Sequence, residues 1–514
     1  MRPILCLLLV VCAHAQIGVV TYHNDLARSG ENLQETILTP ETVTPEHFGK
    51  LFAQAVDGQV YAQPLYLPEV TVAGKGIHNI VFVATEHNSV YAFDADSAAG
   101  SNSQPLWHVN LTPEGSGEST ISTAAAMNCQ TITPEIGITS TPVIDPATLT
   151  LYVVAATNRG ESYYHRLHAL DATTGVECPG SPVTMQASVA GTGGDFFSPS
   201  PVTFLPYFQM SRSGLVLVNG VVYIGWSSYC DERSYHGWIL GFNARSLQPV
   251  SAFNSTPNAN QGSIWMGGAA PAADSAGNLY AITANGRFDG KTDFGDSILK
   301  IATPGLTLLD TFTPFNESYL DRADIDLGSG GAVLLPDAAG SSAHPHLLAA
   351  AGKEGRIYLI DRDRMGGHHA QDDSQIVQSI EGAIGPQFSV AAYWNGTLYF
   401  AASNDPVKAF PIAGAHITMP SSSQSPAVIG YPGGVPSISA NGSTNGIAWV
   451  IESGTAGALH AYDATNLANE LYNSRANPVR DATGPLIKFS VPTIVNGKVY
   501  IGSRDSLVVF GLLH

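Results

Sequence analysis

Acidic, amide and basic residues recur at the ends of short apolar runs, where a fold can gather them into one site. Glu86 and His87, Asn158, the stretch from Cys230 to His236, Asn285, Lys353 and Glu354, Asn404 and Asp405, Glu452, and Arg504 with Asp505 each follow such a run. Glu135, Trp265 and the Asp-x-Asp pair Asp324 and Asp326 each stand ahead of another. Carboxylate and amide oxygens suit hard cations, and a carboxylate also accepts protons. A lysine stabilises anionic oxygens, and an indole offers a flat apolar face to a planar ligand. The recurrent Asp-Ala turns at Asp94, Asp171 and Asp463 read differently, as turn chemistry in which the carboxylate caps local N–H groups.

The elements that must position these residues are repeats. An apolar strand, a polar loop and a strand reading roughly "xYAxDaxtG" recur at 80–100, 151–175, 221–247, 279–305, 347–367, 398–414, 447–466 and 499–513. Candidate innermost strands precede several copies, at 140–145, 214–220, 270–274, 331–337 and 491–497. One such unit cannot bury both of its faces, whereas units stacked round an axis can. The sequence therefore predicts an all-β chain, a single propeller of eight four-stranded antiparallel blades over 16–514. The last copy ends after three strands, and 49–58 is expected to supply its outer strand, so that N- and C-terminal strands close the ring. In a blade whose strands run A to D from axis to rim, the B-to-C and D-to-A loops open on one face. Every polar residue of the first group falls in those loops. Cys129 and Cys230 fall there too, while Cys178 follows a turn on the opposite face. Topology thus favours a Cys129–Cys230 disulfide, with three free thiols as the alternative.

Only 13% of the 514 residues are charged, and there are 52 Gly and 32 Pro, a composition for many short strands joined by tight turns. The formal charge of −19 disfavours nucleic acid and anionic membranes as partners. Arg2, the apolar run from Ile4 and the Ala13-His14-Ala15 site read as a signal peptide over 1–15, so the protein is expected to be exported to the periplasm or the extracellular space. No later segment reads as a transmembrane helix. No C-x-x-C-H occurs, so no covalently attached c-type haem is indicated.

The repeat style resembles the pyrroloquinoline-quinone (PQQ) dependent alcohol dehydrogenases, eight-bladed propellers with a quinone and a metal ion on the axis. KEGRIYLIDRDRMGG (353–367) looks like the family's phrase beginning with a quinone-contacting basic residue. LYAITANG (279–286) is similar to its Tyr-x-x-Thr-Gly-Asn-Gly, and Ile264-Trp265 to the site of the Trp beneath the quinone. CDERSYHGWILGF (230–242) resembles the loop with a metal-binding Glu, and ADIDLGSGG (323–331) the family's Asp-x-Asp. The resemblance implies Asp324 as catalytic base, Trp265 and Lys353 as cofactor contacts, and Glu232, Asn285 and Asp326 as ligands of a calcium or lanthanide ion. Such a metal would polarise a quinone carbonyl while hydride passes from the alcohol. The family's adjacent Cys pair is absent.

Two functions are compatible with these readings. One is an exported quinoprotein-like oxidoreductase acting on an alcohol or sugar, handing electrons to a separate acceptor. The other is a non-catalytic propeller binding a glycan, peptide or protein on its axial face. Fold analogy alone does not decide between them.

Overall fold

The computed structural model describes residues 17–195, 198–232 and 234–513; the expected signal peptide lies outside them. Among the described residues, eight sheets of four or five strands are arranged as blades, antiparallel except where the short strands Glu31–Asn32 and Gly367–His368 add in parallel at an edge. The first runs outward through Leu65–Val72, Gly76–Ala84, Ser89–Asp94 and Trp107–Asn110. The second follows with Val143–Asp145, Thr150–Arg159, Ser162–Asp171 and Val183–Thr184. In every blade the second and third strands coincide with the repeated phrase. In the fourth they are Leu279–Ile282 and Ile298–Ala302, and in the fifth Leu347–Ala351 and Ile357–Asp361.

The ring closes as the truncated last copy requires. Phe48–Ala55 pairs antiparallel with Ser506–Leu512, outside Thr493–Val495 and Lys498–Gly502. The central strands are buried on both faces, because each blade packs between two neighbours. In one such core Phe48, Trp449, Ile451, Val499 and Phe510 meet between the last two blades. The turn aspartates behave as local caps: Asp94 Oδ1 accepts from the Asp96 and Ser97 N–H groups, and Asp171 Oδ1 from those of Thr173 and Thr174.

One feature has no counterpart in the repeat pattern. The segment from Val19 to Asn32 passes along the inner strands and bonds them in turn. Val19 pairs with Tyr66, and the carbonyls of Val20, Leu26, Ala27, Ser29 and Gly30 accept from Ile144, Ala273, Leu334, Tyr393 and Ile438. Six blades are thereby tied to one peptide. Among the described residues no helix is long and apolar enough to cross a membrane.

Candidate functional site

Loops from blades across the ring converge on a cavity of about 160 Å³. Trp265, Ala284 and Asn285 come from the fourth blade, Asp324, Asp326 and Lys353 from the fifth, Lys488 and Phe489 from the last, and Ser228 and Asp231 from the third. Residues so distant in sequence can share one cavity only where the blades approach the axis.

Lys353 is the centre of its polar wall. Its ammonium pairs with Asp326 and lies 2.8 Å from Asp324 Oδ1. Asn285 Nδ2 donates to the same Asp324 oxygen at 2.9 Å, while Asn285 Oδ1 is buried without a partner. The two aspartates differ in surroundings. The Asp324 side chain is 72% exposed and Asp326 3%. Burial pushes Asp326 up to about 6 against the pull of Lys353. Burial also acts upward on Asp324, but its bond to Lys353 and that residue's charge outweigh it, and the carboxyl lies below its ordinary value. Lys353 loses by burial and gains more from the two carboxylates, so it is raised and stays charged.

Local backbone fixes this arrangement. Asp324 ends the short helix Glu317–Ala323 in the left-handed conformation, φ +54°, which Asp tolerates better than most residues. The Leu327 N–H donates to buried Asp296 Oδ1 at 2.8 Å, and the Lys353 N–H to the Asp326 carbonyl at 3.1 Å. These bonds set the two loops against each other.

The opposite wall is aromatic and cationic. Trp265 meets Phe388 and Phe489 edge-on at 6.1 and 5.9 Å, and Lys353 Nζ stands 5.9 Å from its ring centre. Arg212, 4% exposed, lies 4.9 Å over Phe489 and 5.5 Å over Tyr61. Among the described residues its one side-chain hydrogen bond is to the Gly267 carbonyl at 3.4 Å, and no carboxylate pairs with it. Gly268, at φ +97°, makes room for it, since a Cβ there would come within 2.5 Å of Nη1. Lys488 also has no acidic partner among the described residues, and burial lowers it to about 8.

The structure thus brings Asp324, Asp326, Asn285, Lys353 and Trp265 to one cavity. Glu232 is exposed and does not line it; its neighbour Asp231 does. Asp231 follows Cys230, whose disulfide to Cys129 joins two loops 101 residues apart in sequence at the cavity's edge. Cys178 is free. Sequence reasoning missed Arg212, Lys488 and Phe489. Their signal was position: each stands a few residues ahead of an inner strand, as Trp265 does.

No protein-family model and no curated protein matches the sequence. Similar solved structures include the quinohemoprotein alcohol dehydrogenase of Pseudomonas putida HK5, at TM-score 0.65 and 13% identity, covering 96% of this chain and 80% of that one. The quinohemoprotein alcohol dehydrogenase of Comamonas testosteroni gives TM-score 0.63 and 13% identity with the same coverages. A europium-containing methanol dehydrogenase gives TM-score 0.60 and 12% identity over 96% of this chain and 98% of that one. At such identities the likeness is one of fold.

The cavity's chemistry fits a flat, anionic ligand: an indole face, a buried guanidinium without a counter-ion, and an ammonium opposite. It does not fit the expected metal set as the side chains stand. Glu232 is outside, Lys353 pairs with one oxygen of each of Asp324 and Asp326, and among the described residues no three carboxylate, imidazole or thiol groups gather as metal ligands.

Proposed function

We propose that the protein is a quinone-dependent oxidoreductase acting on a hydroxyl-bearing small molecule, with PQQ held in the axial cavity. The observation that carries this reading is the joint placement of Trp265, Arg212 and Lys353 round one cavity with an exposed, low-pKa carboxylate, Asp324, beside them. A bound ortho-quinone supplies the two-electron acceptor that the side chains lack.

The chain's own residues divide the remaining work. Trp265 presents its face to the ring system and fixes its plane. Arg212 pairs with a ligand carboxylate, a charge-assisted bond strengthened by the loss of water around the guanidinium. Lys353 directs its N–H groups to oxygens that gain negative charge. Asp324, ionised at neutral pH and open to solvent, accepts the substrate's hydroxyl proton. Asp326 and Asn285 hold Lys353 and Asp324 in register, so that donor and acceptor stay close.

The test is titration of the purified protein with PQQ, followed by quinone absorbance and indole fluorescence. Saturable binding is expected, and Trp265→Ala and Lys353→Gln should each weaken it at least about tenfold, the equivalent of roughly 1.4 kcal/mol. Because Arg212 already supplies a positive charge that no carboxylate pairs among the described residues, binding should persist in a metal chelator. Absence of binding both with the chelator and with added calcium or lanthanide would overturn the proposal and leave a ligand-binding propeller without redox chemistry.

A further inference from the structure

A second chamber of about 310 Å³ opens beside the axial cavity and shares Tyr61, Thr131, Tyr431 and Lys488 with it. Its lining contains no Asp or Glu, in a chain that carries 42 of them. It does contain two cations, Lys488 and Arg504. Neither has a carboxylate within ion-pair distance among the described residues, and the Arg504 side chain has no hydrogen bond of its own. Lys488 stacks instead on Phe489, 5.7 Å from the ring centre. A protein of net charge −19 that leaves two cations unpaired in one recess has a local positive field there, and a recess concentrates it.

The rest of the lining is suited to a hydroxylated ring. Among the described residues the hydroxyls of Thr133, Ser453 and Thr455 have no hydrogen-bond partner. Tyr431 is 62% exposed and stands where the two chambers meet, with Tyr61 as a second ring. Flat phenol faces beside free hydroxyls can stack on and bond to a polyol. The axial cavity alone does not require such features, since Arg212 and Trp265 already meet a flat anionic ligand there.

We propose that this outer chamber binds a carboxylated polyol, a sugar acid, through Arg504 and Lys488, and that this is the substrate class of the site. The assignment rests on the oxidoreductase reading only in treating the ligand as substrate. With the carboxylate at the two cations, the other end of the molecule extends past Tyr431 and Tyr61 into the cavity that contains Asp324. A guanidinium is the better anchor because it meets a carboxylate with two parallel N–H bonds.

Calorimetric titration of the whole chain without quinone tests the proposal on its own. The probes are D-galacturonate, D-galactose, which lacks the carboxylate, and acetate, which lacks the ring. Galacturonate is expected to bind at least about tenfold tighter than either. Arg504→Gln should remove most of that preference without changing galactose binding, and Arg504→Lys should retain part of it. Arg504 is exposed and its side chain bonds nothing among the described residues, so the fold should tolerate both changes. The proposal is overturned if galacturonate does not bind, if galactose or acetate binds as tightly, or if Arg504→Gln leaves the preference intact. Quinone titration reads the oxidoreductase proposal separately, so the two can fail independently.

Discussion

Asp324 and Asp326 have the same side chain, share one lysine and differ in almost everything else. The exposed member is held ionised, and the buried one resists ionisation up to about pH 6. The unfolded chain ionises Asp326 near 3.8, so this group destabilises the fold progressively as pH rises from about 4 to 6. The displacement corresponds to roughly 3 kcal/mol. A cost of this kind at a cavity wall is expected where a group is kept for binding rather than stability. Asp326→Asn should flatten that part of the profile: urea unfolding at pH 4 and pH 7 should show a smaller loss of stability on raising pH than the wild type shows. An unchanged pH slope would mean that Asp326 is already ionised at pH 4 in the folded protein.

At the level of strands, the blade pattern was legible because it is local and repeated. Alternation, the recurring turn aspartates and the truncated final copy together located the second and third strands of every blade and the closing strand. The closure has a measurable consequence. Phe48, fully buried, packs edge-on to Tyr472 at 4.9 Å and lies 5.5 Å from Trp449 and 6.2 Å from Phe510. Phe48→Ala should cost about 3–5 kcal/mol, read as a lowered denaturation midpoint, whereas a loss below about 1 kcal/mol would show that the seam contributes little. The site was legible in part for the same reason: Asn285, Lys353 and Trp265 occupy fixed places in a repeat, so topology aligned them on one face. Glu232 stands outside the cavity because the turn at 230–231 is irregular. Cys230 and Asp231 both have positive φ, which turns Asp231 rather than Glu232 toward the cavity. Periodicity carries no information about such a turn. Arg212 and Lys488 escaped notice because an isolated cation becomes informative only when its lack of a carboxylate partner can be seen.

Over the whole molecule the least legible feature is the one that spans the most blades. The stretch TYHNDLARSGEN (21–32) has no alternation, and its contacts are made largely by backbone carbonyls to strands as distant in sequence as that of Ile438, so nothing in its composition predicts them. Arg28 is its anchor. Completely buried, it donates from Nε and Nη2 to the Pro271 carbonyl at 3.1 and 2.8 Å. Nη1 donates to the Tyr22 and Asp25 carbonyls, both at 2.8 Å, and to Thr21 Oγ1 at 2.9 Å. Among the described residues no carboxylate pairs with it directly, and burial lowers it to about 10, which leaves it charged at neutral pH. The guanidinium therefore binds the N-terminal segment to the fourth blade through hydrogen bonds alone. A methionine at this position fills similar volume but leaves several buried carbonyls without donors, at roughly 1–3 kcal/mol for each one that water cannot reach. Arg28→Met should thus lower stability by about 3–5 kcal/mol. Because the segment's backbone bonds six blades, the loss should appear at the same denaturant concentration in near-ultraviolet circular dichroism and in indole fluorescence. If instead the N-terminal segment becomes susceptible to protease while the midpoint stays in place, the segment is a separable strap and the eight blades hold their ring without it.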